Sequence, residues 1–342
     1  MEYIFRKTYI LKGYFQLSEK QGGNTQSILR KYVLRFLRLA LVVAPFVWIY
    51  SRTDAGALKE ISASVSVPLL FLIAALTFVG ILLQGVKWWI LIRRFVPELK
   101  LGTAVSVHME STFYAIALPS AAAQDVVKSV MLSKSHNPSV VWAASWLGRL
   151  IGLFVMLAYS VFGVLYLKSD ILPDGFRASL ITAITVMALL GAASFSKRFT
   201  RPLRAAAAKL LPAKIMGKAE KLRDGIYAFK YERAALAQTF LISAAIHFLI
   251  FFNISLTIYA VSGSFYFIEC LAFAPLVEIM AVSLPLTPGG VGIREALMAL
   301  LFTRLGFTGE QTALYATISL IMSMVRVSGG IPIVWRMMAA KK

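Results

Sequence analysis

The run L-P-L-T-P-G-G-V-G-I-R-E-A, from Leu284 to Ala296, places an arginine and a carboxylate directly after a break in the chain. Pro285 and Pro288 remove backbone donors, while Gly289, Gly290 and Gly292 permit a sharp turn and a close approach to a neighbour. A helix starting near Val291 would present free N–H groups and the positive end of its dipole to whatever lies before it. Such an end attracts anions. Arg294 adds a full charge and a planar fork of donors suited to a phosphate, and Glu295 can balance a cation or carry a proton. The competing reading is a structural Arg294–Glu295 ion pair beside a simple helix break. An earlier break has related chemistry: Leu118-Pro119-Ser120 interrupts a helical pattern that also carries His108 and Glu110, and Asp125 and Lys128 follow Pro119.

The same reasoning extends to Arg149, Glu278 and Arg326, which lie within apolar runs. A charge at mid-bilayer costs on the order of 3 kcal/mol, so these side chains are expected to face a shared polar cavity or pair with one another. Glu269 fits the outer interface equally well. His108, His136 and His247 are scattered and none has a His or Cys partner at ligand spacing, so no metal site and no cofactor are expected. His247 reads as a helix-packing hydrogen-bond donor. Trp88 and Trp89, beside Arg93, read as an interfacial aromatic belt. The lone Cys270 has no disulfide partner.

The elements that must position these residues are membrane helices. Of 342 residues, 58% are hydrophobic and only 15% charged, more apolar surface than a soluble core absorbs. The net charge of +20 lies between apolar runs rather than on a separate soluble domain, which favours a membrane surface over nucleic acid as its partner. The expected fold is therefore all-α and polytopic. Six runs are long enough to span: Leu34 to Tyr50, Val67 to Ile92, Val140 to Leu167, Ala178 to Ser196, Ala235 to Val261 and Thr312 to Met337. Residues 1–33 form a basic cytoplasmic segment ahead of a single transmembrane domain, 34–342. Residues 197–233, a basic amphipathic linker on the inner leaflet, join its halves.

Counting Lys and Arg in the loops sets the orientation. The N-terminal segment and the 197–233 linker are strongly basic and read as cytoplasmic, as does the tail ending in Lys341 and Lys342. The 51–66 and 168–177 loops balance their charges and read as outside. Two segments then break the alternation. Leu101 to Ser133 has both flanks on the cytoplasmic side, and Phe267 to Thr303 has both outside, so each is expected to enter the membrane and return. The order span, hairpin, span occurs twice with opposite orientation, an inverted-topology repeat. Transporters use it to open a midplane site alternately to either face.

The element P-L-T-P-G-G-V-G-I-R-E-A, with the earlier L-P-S-A-A-A-Q-D-V-V-K and the W-L-G-R from Trp146 to Arg149, resembles the flippase-like transmembrane family typified by the membrane domain of lysylphosphatidylglycerol synthases. The resemblance spans roughly Leu34 to Met337. Pro288, Gly289, Gly290, Gly292 and Glu295 match the family's second motif. The first motif departs: in place of glycine and Glu-then-Arg, this chain has three alanines after Ser120, then Gln124, Asp125 and Lys128. The resemblance implies translocation of a lipid with an anionic, aminoacylated or polyprenyl-phosphate-type head group, in the cytoplasmic membrane of a bacterium or archaeon. The sequence through Lys342 includes no soluble aminoacyl-transferase domain, so lysyl transfer, and enzymatic activity generally, are not expected. The partners expected are anionic membrane lipids, with homo-oligomerisation left open. The alternative is a secondary transporter of a small polar solute or ion.

Overall fold

The computed structural model of the chain describes residues 40, 42–116, 118, 123–167, 171–172, 175–195, 213–283 and 287–339. Among these residues every regular element is helical. In chain order they are α1 (Ala55–Ser64), α2 (Val67–Ile92), α3 (Leu101–Ala115), α4 (Ala123–Leu132), α5 (Pro138–Tyr166), α6 (Phe176–Phe195), α7 (Ala213–Ala228), α8 (Arg233–Ser262), α9 (Phe267–Ser283), α10 (Ile293–Arg304), α11 (Gly309–Ser323) and α12 (Ile331–Ala339). Residues 42–50 are helical as well. Most of the expected first span, Leu34 to Tyr50, and the first half of the 197–233 linker lie outside the described residues.

Local chemistry sets several boundaries. Asp54 caps α1 by accepting the Ala57 N–H at 2.8 Å, and Asn137 caps α5 by accepting from Ser139 at 3.0 Å, with Pro138 in the first turn. Thr308 and Gln311 form a reciprocal capping box on α11. Gly263 closes α8 in the left-handed conformation at φ 70°.

Four helices are long and apolar enough to cross a membrane: Val67–Ile92, Pro138–Tyr166, Arg233–Ser262 and Gly309–Ala339. A shorter apolar stretch, Phe176–Gly191, lies within α6. The last span differs from the unbroken helix expected. It runs through α11, tightens into a 3₁₀ segment at Met324–Gly330, and resumes as α12. Both interrupted segments form pairs of short helices, α3 with α4 and α9 with α10. The first break, including Pro119, lies outside the described residues; the second contains a 3₁₀ turn, Pro288–Gly290.

The halves pack across one another in matching fashion. The leading spans, α2 and α8, lie side by side; α9 of the second half packs on α5 of the first, and α3 of the first on the Met324–Gly330 segment of the second. The last two of these packings are each seated on a glycine. A Cβ on Gly163 would lie 2.2 Å from the Ala272 nitrogen, and one on Gly329 would lie 2.1 Å from the Met109 carbonyl oxygen. Small residues allow backbones to meet where lipid supplies no hydrophobic drive for helix association. Arg336 of α12 also pairs with the buried Glu110 of α3, a second tie between the halves.

Two apolar cores flank the region between. One gathers Trp88, Leu91, Leu147 and Phe229; the other gathers Leu157, Phe251, Phe273 and Phe302. Along α5 the first core ends at Leu147 and the second resumes at Leu153 and Met156, leaving Gly148, Arg149 and Gly152 facing a cavity. Gly163→Ala and Gly329→Ala should each lower the thermal midpoint of the solubilised protein, with an overpacking cost of about 1–3 kcal/mol. Gly102→Ala, with nothing within 4 Å of the added carbon, should not. Equal midpoints for all three would show that the glycine seats do not hold the halves together.

Candidate functional site

The stripe Ile73, Leu76, Thr77, Gly80, Gln84, Lys87 recurs at helical spacing along α2, and on α8 the residues His247, Ile250, Asn253, Ile254 and Thr257 do the same. These stripes face a cavity of about 360 Å³, to which α3, α4, α5, α9, α10, α11 and the 3₁₀ segments Pro288–Gly290 and Met324–Gly330 also contribute. Asn253 ties the two stripes together, donating to Thr77 Oγ1 at 2.9 Å and to the Ile73 carbonyl at 3.2 Å. The lining is mixed. Ile73, Leu76, Ile250 and Ile254 on α2 and α8 give an apolar wall, while Lys87, Arg149, Arg326 and the interrupted segments bring charge.

On the first half, Asp125 of α4 answers two cations at once. Lys128 Nζ lies 2.5 Å from Oδ1, one helical turn away. Arg149, on α5, donates to Oδ2 through Nε at 2.5 Å and through an Nη nitrogen. Lys128 also stands 5.3 Å from the centre of the Trp88 ring, whose indole N–H donates to Ser145. Trp88 is therefore core rather than interfacial belt, because its ring fills the space behind this cluster. Trp89 instead meets Arg93 near the helix end. Beside the cluster, the Gln124 amide nitrogen lies 2.9 Å from His108 Nε2 and donates to Thr112 Oγ1 at 2.6 Å.

On the second half, Arg294 of α10 makes a two-pronged contact with Glu278 of α9: Nε to Oε1 at 2.6 Å and Nη2 to Oε2 at 3.1 Å. Arg294 is thus paired with Glu278 and not with its sequence neighbour. Glu295 turns the other way, accepting the Gly292 N–H at 2.6 Å and the Ser319 hydroxyl at 2.7 Å. It caps its own helix and fastens it to α11.

The glycines acquire distinct reasons. Gly289, at φ 62°, lies against the Arg326 guanidinium, which a Cβ would overlap. Gly292, at φ 87°, supplies the N-cap of α10 in a conformation disfavoured for other residues. Gly290 packs on Ala281, and Pro288 opens the 3₁₀ turn. Arg326, which reaches the turn, stands in the 3₁₀ segment Met324–Gly330.

Asp125, Lys128, Arg149, Glu278, Gly289, Arg294 and Arg326 all line one cavity, as the sequence led us to expect of side chains too polar for lipid. Gly290, Gly292 and Glu295 stand behind it and build the turn. Glu269 is not among its lining residues. His247 donates from Nδ1 to the Ser243 carbonyl at 2.7 Å, a helix-packing bond, while its ring also faces the cavity. Sequence reasoning missed Lys87, which near the end of a long apolar run resembles an ordinary interfacial lysine. Its place on the Gly80, Gln84, Lys87 stripe was the available signal. Among the described residues no cluster of His, Cys, Asp and Glu could hold a metal ion.

The sequence profile described as lysylphosphatidylglycerol synthase TM region matches residues 35–327, from before α1 into the Met324–Gly330 segment. This chain belongs to that family. Comparison with curated proteins returns no match. As a member of the lysylphosphatidylglycerol synthase TM region family, it is a membrane protein of a lipid-handling group, and both charged clusters lie inside the matched stretch.

Removing one member of a buried ion cluster strands the others. Asp125→Asn leaves Lys128 and Arg149 facing each other, and should destabilise the solubilised protein by on the order of 3 kcal/mol, read from thermal unfolding. An unchanged midpoint would mean that the three charges are answered by water rather than by one another.

Proposed function

We infer that this protein is a lipid translocase, passing an anionic, aminoacylated or polyprenyl-phosphate-type head group between leaflets through the central cavity. The observation that carries the reading is that cavity, where charged side chains from both halves meet beside an apolar wall on α2 and α8. A lipid needs both surfaces: polar groups for its head and apolar contact for its chains. Family membership supports the reading, as does the matched cross-packing, which suits two halves that rock around a shared site. In this reading α3 with α4 and α9 with α10 are re-entrant hairpins of opposite orientation. The translocase sits in the cytoplasmic membrane of a bacterium or archaeon with both termini inside, and needs neither a catalytic group nor a cofactor. Its partners are anionic lipids, not nucleic acid, and a homo-oligomer would leave the mechanism unchanged.

A secondary transporter of a small polar solute or ion is favoured by one feature, a cavity volume that also suits a free anion. The deciding experiment compares transbilayer movement of fluorescent phospholipid with solute uptake in reconstituted liposomes. Wild type should move lipid. The electroneutral double change Glu278→Gln with Arg294→Gln should keep folded yield while slowing lipid movement roughly tenfold or more, the scale of one lost charge-assisted contact. Lipid movement at the wild-type rate in the double variant, or solute uptake without lipid movement, would overturn the reading. A cysteine at Lys230, in a Cys270→Ser background, should label only from the cytoplasmic face; labelling from outside would invert the orientation.

A further inference from the structure

Among the described residues, two cations lining the cavity are left without a hydrogen-bond or ion-pair partner. Asp125 neutralises one of the two positive charges around it, and Glu278 pairs with Arg294, whose Nη2 also reaches the Gly289 carbonyl. Lys87 of α2 and Arg326 of the 3₁₀ segment line the same cavity, yet neither makes a hydrogen bond or ion pair to another described residue. Lys87 Nζ lies beside Gly152, 3.6 Å from where a Cβ would stand, and Arg326 lies over Gly289. At Gly289 the missing side chain is what leaves the guanidinium room. Five cations (Lys87, Lys128, Arg149, Arg294, Arg326) and two carboxylates (Asp125, Glu278) line the wall, with Glu295 bound just behind it. Five less three leaves a formal excess of two positive charges.

We propose that the cavity selects a head group carrying two negative charges, a phosphate monoester or a diphosphate, with Lys87 and Arg326 as the cations it neutralises. This rests on the translocase reading and narrows its substrate. A buried charge is costly unless paired, so the favoured occupant is the one whose charge cancels the excess. A phosphodiester such as phosphatidylglycerol brings one negative charge and leaves one cation unanswered. A lysyl ester of that lipid adds cationic amines to a cavity already positive. A phosphate monoester past its second ionisation, or a diphosphate, brings two. The two free cations also come from opposite halves, Lys87 from the first and Arg326 from the second. The same head group can therefore engage whichever half faces it.

The test uses the full chain in nanodiscs at about pH 8, where a phosphate monoester has lost its second proton. Phosphatidic acid and phosphatidylglycerol with identical acyl chains are compared by native mass spectrometry, with inorganic phosphate and pyrophosphate as soluble competitors. Phosphatidic acid should bind roughly tenfold or more tightly than phosphatidylglycerol. Lys87→Gln and Arg326→Gln should each erase most of that preference, while Lys87→Arg should retain it. Folded yield is followed by size exclusion, and the wild-type comparison decides even if a variant fails to fold.

Equal or tighter binding of phosphatidylglycerol by the wild type overturns the proposal, as does full preference in folded Lys87→Gln. If liposomes show phosphatidylglycerol crossing as fast as phosphatidic acid, the two-charge assignment falls and the translocase reading stands. If pyrophosphate displaces phosphatidic acid at equal concentration and neither lipid crosses, the two-charge assignment stands with a soluble anion as its source. The translocase reading then falls.

Discussion

A charge held away from water must be answered by an opposite charge or by hydrogen bonds, and in this chain that requirement is met largely at one place. Asp125 bridges Lys128 and Arg149, joining α4 to α5. Glu278 occupies the fork of Arg294, joining α9 to α10. Moving any of these side chains out toward lipid would strand its partners, so the helices that bear them are fixed around a common centre. The interruptions follow from the same need. A broken helix can bring the N-terminal turn of α10 and the start of α4 to the middle of the bundle, and at the second break Gly289 lines the polar cavity, where freed backbone is tolerated better than in lipid.

The packing around that centre is close in a way that only small residues permit. Gly163 receives the backbone of α9, Gly329 that of α3, and Gly289 the guanidinium of Arg326. In each case the residue crossing over belongs to the other half or to the far end of the same one. The halves are thus interlocked through these backbone contacts, the Glu110–Arg336 pair and a shared apolar core that gathers Leu157 of the first half with Phe251, Phe273 and Phe302 of the second.

Much of this was legible in the sequence. Apolar runs and loop charges gave the helical class and the two interrupted segments, and the cost of intramembrane charge correctly grouped Asp125, Lys128, Arg149, Glu278, Arg294 and Arg326 around one cavity. Pairing was not legible, because adjacency in sequence is not adjacency on a helix. Arg294 and Glu295 point about 100° apart around α10, so Arg294 meets Glu278 while Glu295 turns back to the Gly292 N–H. The 3₁₀ winding at Met324–Gly330 left no pattern distinct from an ordinary span. Trp88 and Lys87 were hidden by position, since aromatic and basic residues near a helix end usually mark the interface. Only the one-sided stripe along α2 separates the two cases.

The central claim is that the cavity is a passage open by turns to both sides of the membrane. Gln84 faces it from α2. In a Cys270→Ser background, Gln84→Cys should react with a small membrane-impermeant thiol reagent applied to either face of sealed vesicles, at rates that a bound anionic lipid slows. Reaction from one face alone, or from neither, would contradict the account and make the cavity a closed or one-sided pocket.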